Sequence, residues 1–404
     1  MSILVINAGS SSVKYQLISS GDESVLAKGL IERIDSAGSN IMHVYGGKTY
    51  AVEKPVKDHV EAVELMLSVL LSPEYGVIKS IDEIHAVGHR VVHGGEKFAS
   101  SVLIDENVIA AIEENCPLAP LHNPANLMGI TACREVMPDT PMVAVFDTAF
   151  HQTMPKMAFL YGLPYDYYKR LKIRRYGFHG TSHRYVAGRA AEIMGRPIKK
   201  LKLITCHLGN GSSLCAVDGG KSIDTSMGMT PLEGVIMGTR SGSIDPAIIE
   251  YIMEAEGLDI HQVMDVLNKK SGLIGLSGKS HDMRDVRQTA FAGDTKCQAT
   301  IDAWAYGIAK TIGAYAAAMH GVDALIFTAG IGENDAAARE KVMSGLTFLG
   351  AELDVNKNEN VHGEEREIST PASRVKVYVI PTNEELAIMR DTVEIIDAKA
   401  RKKG

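Results

Sequence analysis

The stretch Val5–Leu17, VINAGSSSVKYQL, carries the pattern on which the fold prediction depends. An apolar run ends in a glycine and three serines, and a second run with apolar residues at alternate positions follows. Two antiparallel strands joined by a tight turn have this pattern. A phosphate cradle would have it too, because glycine lets backbone N–H groups approach an anion closely and serine adds donors. The stretch alone leaves both interpretations open.

The same pattern recurs in the second half of the chain. Residues 206–217, CHLGNGSSLCAV, are again typical of a strand, a Gly/Ser-rich turn and a strand. Such a repeat predicts a duplicated unit, although two Gly/Ser turns can also resemble each other by chance. Short β-branched runs alternate with segments of helical periodicity, which favours an α/β fold. The runs predicted as strands are 3–7, 86–93, 142–147, 201–208, 324–329 and 375–381.

A stretch rich in Pro, Tyr and Met, residues 149–165, is the least regular part of the middle of the chain. We therefore predict one domain over 1–150 and a second over 151–385. The C-terminal segment, about 386–404, has helical periodicity, and we expect it to complete the first domain.

Composition narrows the classes of protein that this chain can represent. Its 404 residues hold 42 Lys and Arg against 49 Asp and Glu, a net charge of −7, which argues against a large nucleic-acid face. The five cysteines form no CxxC pair, so a disulfide framework and a zinc site are disfavoured. The chain has neither a signal peptide pattern nor an apolar run near the ~20 residues of a membrane span. We expect a soluble cytoplasmic protein with no nucleic-acid or membrane partner.

Three glycine-rich segments follow predicted strands: Gly9–Ser12, Gly209–Ser213 and Gly330–Asn334. Loops of this composition at strand ends bind anions through backbone N–H groups, and three of them favour a polyphosphate ligand. The segment 275–280, GLSGKS, resembles the end of a P-loop, but Leu273 occupies the position that needs glycine. A nucleotide would therefore need a different cradle, and Mg²⁺ is a more suitable metal than a transition ion.

Three charged residues lie in apolar or glycine-rich surroundings: Arg90 in GHRVVHGG, Asp147 at the end of VAVFD, and Arg240 in MGTRSG. A charge at the end of a buried strand is unfavourable unless it has a partner, so each is a candidate site residue. Ion pairs with a purely structural role are the alternative, and the sequence does not decide between them.

Nine motifs occur in one order from residue 3 to about 390, and together they resemble the acetate kinase family. They are VINAGSSSVKYQL, GHRVVHGG, FDTAFH, RRYGFHGTSH, HLGNGSS, TSMGMTPLEG, MGTRSG, GIGEN and PTNEE. The resemblance implies the fold of the acetate and sugar kinase/actin superfamily: two ribonuclease-H-like (actin-like ATPase) domains with an interdomain nucleotide cleft. It also implies reversible, Mg-ATP-dependent phosphorylation of acetate to acetyl phosphate by a homodimer that uses ATP and ADP, with Mn²⁺ able to replace Mg²⁺.

The resemblance also implies roles for residues at matching positions. Catalytic roles fall on Asp147, His179 and Arg240, and metal ligation falls on Asn7 and Glu384. The residues expected to bind the carboxylate substrate or to line its methyl pocket are Arg90, Val92, Leu121, His122 and Pro231. The residues expected to bind the nucleotide are Ser10, Ser12, Lys14, His207, Leu208, Gly209, Asn210, Gly211, Asp282, Met283, Arg284, Gly330, Ile331, Gly332, Glu333 and Asn334.

The family role of Asp147, a proton donor or acceptor, conflicts with the chemistry of the substrate. A carboxylic acid is already ionised at neutral pH, so no proton remains for a base to remove. Our hypothesis is that Asp147 orients Arg240, a water or Mg²⁺.

Two other functions compete with acetate phosphorylation. One is a propionate or butyrate kinase, because one methylene in an apolar pocket is worth only ~1–3 kcal/mol. The other is an ATP switch of the actin or chaperone type, for which Arg90 and the apolar set Val92, Leu121 and Pro231 would have no use.

Overall fold

The computed structural model describes residues 1–120 and 122–401, and the chain divides into two compact units. Unit 1 comprises Met1–Gln152 and the C-terminal segment from Asn383, and unit 2 comprises Thr153–Thr382. Within the described ranges, no helix is both long enough and apolar enough to cross a membrane.

Unit 1 is built on an eight-stranded sheet with the order β5-β4-β3-β2-β1-β6-β8-β7. Its strands are β1 Ser2–Gly9, β2 Ser12–Ser19, β3 Val25–Glu32, β4 Asn40–Tyr45, β5 Lys48–Glu53, β6 Ile84–Val91, β7 Val102–Leu103 and β8 Met142–Phe146. β1 and β2 form an antiparallel hairpin that closes with Gly9 opposite Ser12, whereas β6 runs parallel to both β1 and β8. The hairpin predicted from the opening stretch is therefore confirmed.

β1 and β8 are buried on both faces, and successive side chains of each strand point to opposite sides. The helices of the first 152 residues are α1 His59–Leu70, α2 Glu106–Glu114 and α3 Asn123–Val136. Leu4 and Ile6 of β1 share a core cluster with side chains of α1 and α3. Ile3 and Val5 belong to another cluster with Val143 of β8. The period of two thus places adjacent apolar residues of β1 in two different cores.

Unit 2 is built on a six-stranded sheet with the order β11-β10-β9-β12-β14-β13. Its strands are β9 Lys202–Leu208, β10 Ser212–Asp218, β11 Lys221–Thr225, β12 Ala324–Thr328, β13 Arg366–Glu367 and β14 Lys376–Val379. β9 and β10 form an antiparallel hairpin, and β12 runs parallel to both β9 and β14. The central order β10-β9-β12-β14 repeats the order β2-β1-β6-β8 of unit 1. The predicted α/β fold with a duplicated unit is confirmed.

Eleven helices connect or cover these strands in the described part of unit 2. They are α4 Lys156–Phe159, α5 Tyr165–Leu171, α6 Gly180–Ile193, α7 Ala247–Glu256, α8 Ile260–Lys269, α9 Gly272–Ser277, α10 Met283–Phe291, α11 Thr295–Ala318, α12 Ala329–Asn334, α13 Ala336–Met343 and α14 Val355–Glu359. Trp304 on α11 is fully buried and packs in the main core cluster with residues of β9, β10 and β12. The expectation of a loop at Gly330–Asn334 is wrong, because these residues form the helical turn α12.

The last helix, α15 (Glu384–Arg401), belongs to unit 1 and packs against β1, β6 and β8. Ile388 and Met389 of this helix complete the cluster that contains Ile3 and Val5. Close approach to β6 requires a residue without a side chain at Gly88. A Cβ there would lie 2.5 Å from Thr392 Oγ1 and 2.7 Å from Ile388 Cγ2.

We predict that Gly88→Ala destabilises the protein by about 1–3 kcal/mol, because the added methyl group overpacks the contact between β6 and α15. The matched control is Gly21→Ala, since a Cβ at Gly21 meets no atom within 4 Å. Urea unfolding followed by circular dichroism measures both, and equal midpoints for the two variants would contradict this packing account.

Candidate active site

A buried ion pair lies at the carboxyl ends of two neighbouring parallel strands of unit 1. Arg90, near the end of β6, donates from Nη2 to Asp147 Oδ2 at 2.6 Å and from Nε to Oδ1 at 3.2 Å. Asp147 directly follows β8 and is 1% exposed, and its backbone N–H donates to the carbonyl of Val91 at 2.9 Å. This bidentate contact fixes the plane of the guanidinium, because both hydrogen bonds would weaken if the guanidinium rotated. The two charges are therefore partners of each other, and the contact by itself does not decide between a structural and a substrate-binding role.

Two further oxygen-bearing side chains lie beside Arg90. Asn7 Oδ1 is 3.4 Å from Arg90 Nη1, and Glu384 Oε2 is 3.7 Å from Arg90 Nε. Burial raises the pKa of Asp147 although Arg90 opposes the change, and the negative charge of Glu384 raises it further. Burial by itself would lower the pKa of Arg90, but the two carboxylates outweigh that effect and raise it. Arg90 is therefore a permanent cation in a half-buried position.

The side-chain oxygens beside Arg90 suit a hard cation that takes most of its ligands from phosphate and water. Amide and carboxylate oxygens, as in Asn7 and Glu384, are ligands that Mg²⁺ accepts. Within residues 1–120 and 122–401, no group of three or more His, Cys, Asp or Glu side chains could hold a metal ion. The residues present therefore fit an ion bound mainly through phosphate oxygens and water.

The first glycine-rich turn, Gly9–Ser12, lies at the same edge of this sheet and has Ser10 exposed and Ser12 partly exposed. A Cβ on Gly9 would lie 2.9 Å from Ser12 Oγ, so a larger residue there would displace that hydroxyl. His59 Nε2 lies 2.8 Å from the carbonyl oxygen of Gly9 and anchors the turn. Lys14 is half exposed and forms an ion pair with Glu385. Exposed hydroxyls on an anchored turn are compatible with anion binding.

Val92, which the resemblance assigns to the methyl pocket, directly follows β6. Val92 is 4% exposed, and its N–H donates to Asn126 Oδ1 at 3.0 Å. His122 immediately precedes α3, and its charge acts to lower the pKa of Asp147. Leu121 lies outside the described residues.

Sequence reasoning missed two asparagines of α3 that hold this strand end in place. Asn126 Nδ2 donates to the carbonyl of Ala8 at 2.9 Å and so connects the first glycine-rich turn to Val92. Asn123 accepts from the N–H of His93 and donates to its carbonyl, at 3.0 and 2.9 Å. Both residues occur in NPAN, where buried amides on an otherwise apolar helix face were the available signal.

In unit 2, His179 and Arg240 flank the second glycine-rich turn. A Cβ on Gly211 would lie 3.5 Å from Arg240 Nη1 and 3.6 Å from His179 Nε2. Arg240 Nη1 also donates to the carbonyl of Pro231 at 3.4 Å, and burial lowers the pKa of Arg240. The part of the chain that the structure describes offers Arg240 no carboxylate within ion-pair distance. A half-buried guanidinium of this kind beside a glycine turn is suited to bind an anion.

A cavity of about 430 Å³ lies between the second and third glycine-rich segments of unit 2. It is lined by Gly209, Asn210, His281, Asp282, Met283, Arg284, Arg287, Gly330, Ile331, Asn334 and Asp335. Eight of these are residues that the resemblance assigns to the nucleotide, and the structure brings them together around one cavity.

The other predicted nucleotide residues of unit 2 do not line this cavity. Leu208 is fully buried, and His207 is 8% exposed with its ring stacked on His179 at 4.1 Å. Gly332 packs against the end of β12, where a Cβ would lie 3.3 Å from the backbone of Phe327. Glu333 accepts from the N–H groups of Ala329 and Thr382 at 2.7 and 3.1 Å. These side chains support the segments that form the cavity.

Asp282 and Met283 each have a structural contact besides their place at the cavity. Asp282 caps α10, where its Oδ1 accepts from the N–H of Arg284, and the side chain of Arg284 lowers the pKa of Asp282 to about 2. Met283 is 2% exposed and belongs to the main core cluster of unit 2. Its side chain thus joins the wall of the cavity to the core.

Sequence reasoning also missed a network that holds the segment carrying Pro231. Arg175 Nη1 donates to the three successive carbonyls of 225–227 at 3.0, 3.1 and 3.2 Å, and its Nη2 donates to Glu233 at 2.5 Å. Tyr161 donates its hydroxyl to the other oxygen of Glu233 and accepts the N–H of Met229. A Cβ on Gly228 would clash with this pair, at 1.8 Å from Glu233 Oε2.

Comparison with known proteins places this arrangement in a family. The model of the acetokinase family matches residues 2–390. An acetate kinase of Thermotoga maritima is 59% identical over 403 residues, which are 99% of this chain and 100% of that protein. The crystal structure of an acetate kinase from Porphyromonas gingivalis is 49% identical, with a TM-score of 0.94 over 98% of this chain and 99% of that one.

A propionate kinase from Francisella tularensis has a similar structure. It is 42% identical, with a TM-score of 0.91 over 98% of this chain and 99% of that one. The family match extends over nearly the whole sequence, and the chain belongs to the acetokinase family.

Proposed function

We infer that this protein is an acetate kinase, which transfers the γ-phosphoryl group of ATP to acetate, reversibly and with Mg²⁺, to form acetyl phosphate and ADP. The observation that carries this inference is Arg90, a cation fixed at a strand edge, in a chain that matches acetate kinases along its full length. The resemblance of the nine motifs supports the same function.

The hydrogen bonds of Arg90 suit a small carboxylate substrate. A guanidinium has five N–H donors, and Asp147 accepts two of them. Asn7 Oδ1 accepts a third from Nη1 at 3.4 Å, and the two donors that are left, one on Nη1 and one on Nη2, are proposed to bind one oxygen of acetate. The second oxygen then stays free to attack phosphorus. The buried Val92 adds an apolar wall at the end of the same strand.

We propose that Asp147 acts by positioning Arg90. Acetate has no proton to lose at neutral pH, so the reaction needs no general base. Asp147 accepts two hydrogen bonds from Arg90, so its proposed role is to hold the guanidinium in one plane. The hypothesis that Asp147 orients Arg240, a water or Mg²⁺ stays a prediction beside this one.

The groups expected to stabilise the transferred phosphoryl group are Arg240 and His179. Phosphoryl transfer passes through a loose transition state with charge on the equatorial oxygens, so cations and hydrogen-bond donors supply most of the catalysis. Arg240 is suited to this because its guanidinium is half buried and lies next to the turn at Gly211. Ser10, Ser12 and Lys14 are proposed phosphate contacts, and the cavity beside Gly330 is proposed to hold adenosine.

Asn7 and Glu384 would hold the metal, which when bound neutralises phosphate charge. We propose that Mn²⁺ can replace Mg²⁺, since both accept oxygen ligands.

The resemblance supports a homodimer. A reducing cytoplasm is supported by the five cysteines, which are all free thiols.

A propionate kinase is the second candidate function, and the similarity to the Francisella propionate kinase favours keeping it. The two activities differ by one methylene at the end of the substrate. A pocket of apolar side chains discriminates against such a group by only ~1–3 kcal/mol. We therefore expect propionate to be a slower substrate of the same site.

We predict that the protein forms acyl phosphate from ATP, Mg²⁺ and acetate, with kcat/KM about tenfold lower for propionate and lower again for butyrate. Trapping of the product with hydroxylamine measures this reaction for each acid. Hydrolysis of ATP that is independent of added acid, with no hydroxamate formed, would contradict the kinase function. A higher kcat/KM for propionate would instead support the second candidate.

We predict that Gly330→Leu raises KM for ATP about tenfold or more, equivalent to ~1.4 kcal/mol of binding, while KM for acetate changes less than about twofold. Gly330 lines the cavity, and a Cβ there meets no atom within 4 Å, so the side chain occupies the space without straining the fold. Gly307→Leu on α11 is the matched control, because its Cβ position is equally open. Unchanged KM for ATP in Gly330→Leu would remove the cavity from the nucleotide site.

A further inference from the structure

Three buried side chains behind His179 have no role in the proposed function. Ser213 on β10, His183 on α6 and Thr205 on β9 are all 0% exposed. His179 Nδ1 lies 2.9 Å from Ser213 Oγ, and Ser213 Oγ lies 2.7 Å from His183 Nε2. His183 Nδ1 lies 2.7 Å from Thr205 Oγ1. The four side chains form one continuous chain of hydrogen bonds that ends at His179.

Local structure explains how these residues meet. His183 lies four positions after His179, one helical turn into α6, and its N–H donates to the carbonyl of His179. Ser213 on β10 pairs with His207 of β9, and Thr205 precedes His207 by two residues, so all three share one face of the sheet. α6 packs against β9 and presents His183 to that face.

With neutral imidazoles, the protons can be arranged along this series of hydrogen bonds in two directions. A hydroxyl has one proton, so Ser213 donates to one imidazole and accepts from the other, and a neutral imidazole has one N–H. In the first direction, Thr205 donates to His183 Nδ1, His183 Nε2–H donates to Ser213, and Ser213 donates to His179 Nδ1. His179 then carries its proton on Nε2. In the reverse direction, His179 carries it on Nδ1.

The surroundings of His179 Nε2 favour the first direction when an anion is bound. This nitrogen faces the glycine turn, 3.6 Å from the Cβ position of Gly211, beside Arg240. A phosphoryl oxygen placed there needs a donor, and an unprotonated Nε2 would present a lone pair to it instead. The ring is also held against rotation, because His207 stacks on it at 4.1 Å and an interplanar angle of 19°.

We propose that Thr205, His183 and Ser213 are positioning residues that hold the proton of His179 on Nε2, so that this nitrogen donates a hydrogen bond to the transferred phosphoryl group. The inference rests on the proposed function for the identity of that group. The tautomer itself is a property of the protein alone.

The tautomer is measured on the full chain with ¹⁵N-labelled histidine, by long-range ¹⁵N–¹H correlation at about pH 8.5, where an ordinary imidazole is neutral. The His179 signals are assigned by their loss in His179→Gln. We expect a protonated Nε2 and an Nδ1 shifted by an accepted hydrogen bond, in the protein with and without Mg-ADP. A protonated Nδ1 on His179 with Mg-ADP bound would overturn the proposal.

Ser213→Ala tests the consequence for catalysis. We expect the accepted hydrogen bond at Nδ1 to disappear and kcat to fall about tenfold or more, as when a catalytic histidine loses the group that fixes its tautomer, with KM for ATP and acetate changed less than about twofold. Ser213→Thr keeps the hydroxyl and should restore most of kcat. The matched control is Ser222→Ala, which removes another fully buried hydroxyl of the same sheet, one that contacts Cys215.

Equal loss of kcat in Ser213→Ala and Ser222→Ala would overturn the proposal, because it would show a general effect of removing buried hydroxyls. Thr205→Val, which keeps the shape of the side chain, serves as the second variant if Ser213→Ala does not fold, and it should also lose the fixed tautomer. If the wild-type protein forms no hydroxamate from acetate, the proposed function fails. The ¹⁵N spectrum still decides the direction of the hydrogen bonds from Thr205 to His179.

Discussion

The ion pair between Arg90 and Asp147 constrains more of unit 1 than any other contact at the site. Taking a carboxylate and a guanidinium out of water is unfavourable, so each needs the other in a fixed geometry. β6 and β8 are parallel neighbours, which brings both side chains to the same edge of the sheet. The hydrogen bond from Asp147 N–H to Val91 fixes the end of one strand against the other. Asn126 bonds to the backbone of both Val92 and Ala8, and so connects the end of β6 to the glycine turn.

Each unit places an arginine near its glycine-rich hairpin. In unit 1 the hairpin β1–β2 lies beside β6, which carries Arg90, the cation proposed to bind the carboxylate substrate. In unit 2 the hairpin β9–β10 carries a glycine turn with Arg240 and His179 next to it. Both units use the same topology, but the partner of the cation differs. Arg90 has a buried carboxylate, whereas Arg240 has a backbone carbonyl and no carboxylate within the described residues. A cation without a carboxylate keeps its charge available for a phosphoryl group.

The sequence predicted the elements well where periodicity was strong. The hairpin in VINAGSSSVKYQL and its repeat follow from apolar runs on both sides of small residues, and the structure confirms both. The interpretation of these turns as phosphate cradles stays a prediction, supported by exposed serine hydroxyls at the first turn and by the cavity beside Gly209. Arg90, Asp147 and Arg240 were found from their apolar or glycine-rich surroundings, because an isolated charge there is a local signal, although Arg240 lies between β11 and α7 and not at a strand end.

Residues whose roles depend on distant partners could not be predicted. Asn126 and Glu333 have no local pattern that reveals which backbone groups they bind, since those partners are set by tertiary structure. The glycine-rich segment at 330–334 has low helix propensity, which favours a loop. In the structure, the Glu333 carboxylate accepts the N–H of Ala329, and Asn334 donates to the carbonyl of Gly330. These contacts stabilise one helical turn against its propensity.

The central claim is that Asp147 acts through Arg90, and a double-mutant cycle tests it most directly. The variants are Arg90→Ala, Asp147→Asn and the double variant, with kcat/KM for acetate measured by hydroxamate formation. If Asp147 only positions the guanidinium, Asp147→Asn lowers kcat/KM by about 100-fold in the wild-type background and by less than about threefold in Arg90→Ala, since interacting residues are not additive. Equal losses in the two backgrounds would contradict the account and assign Asp147 a task that does not involve Arg90.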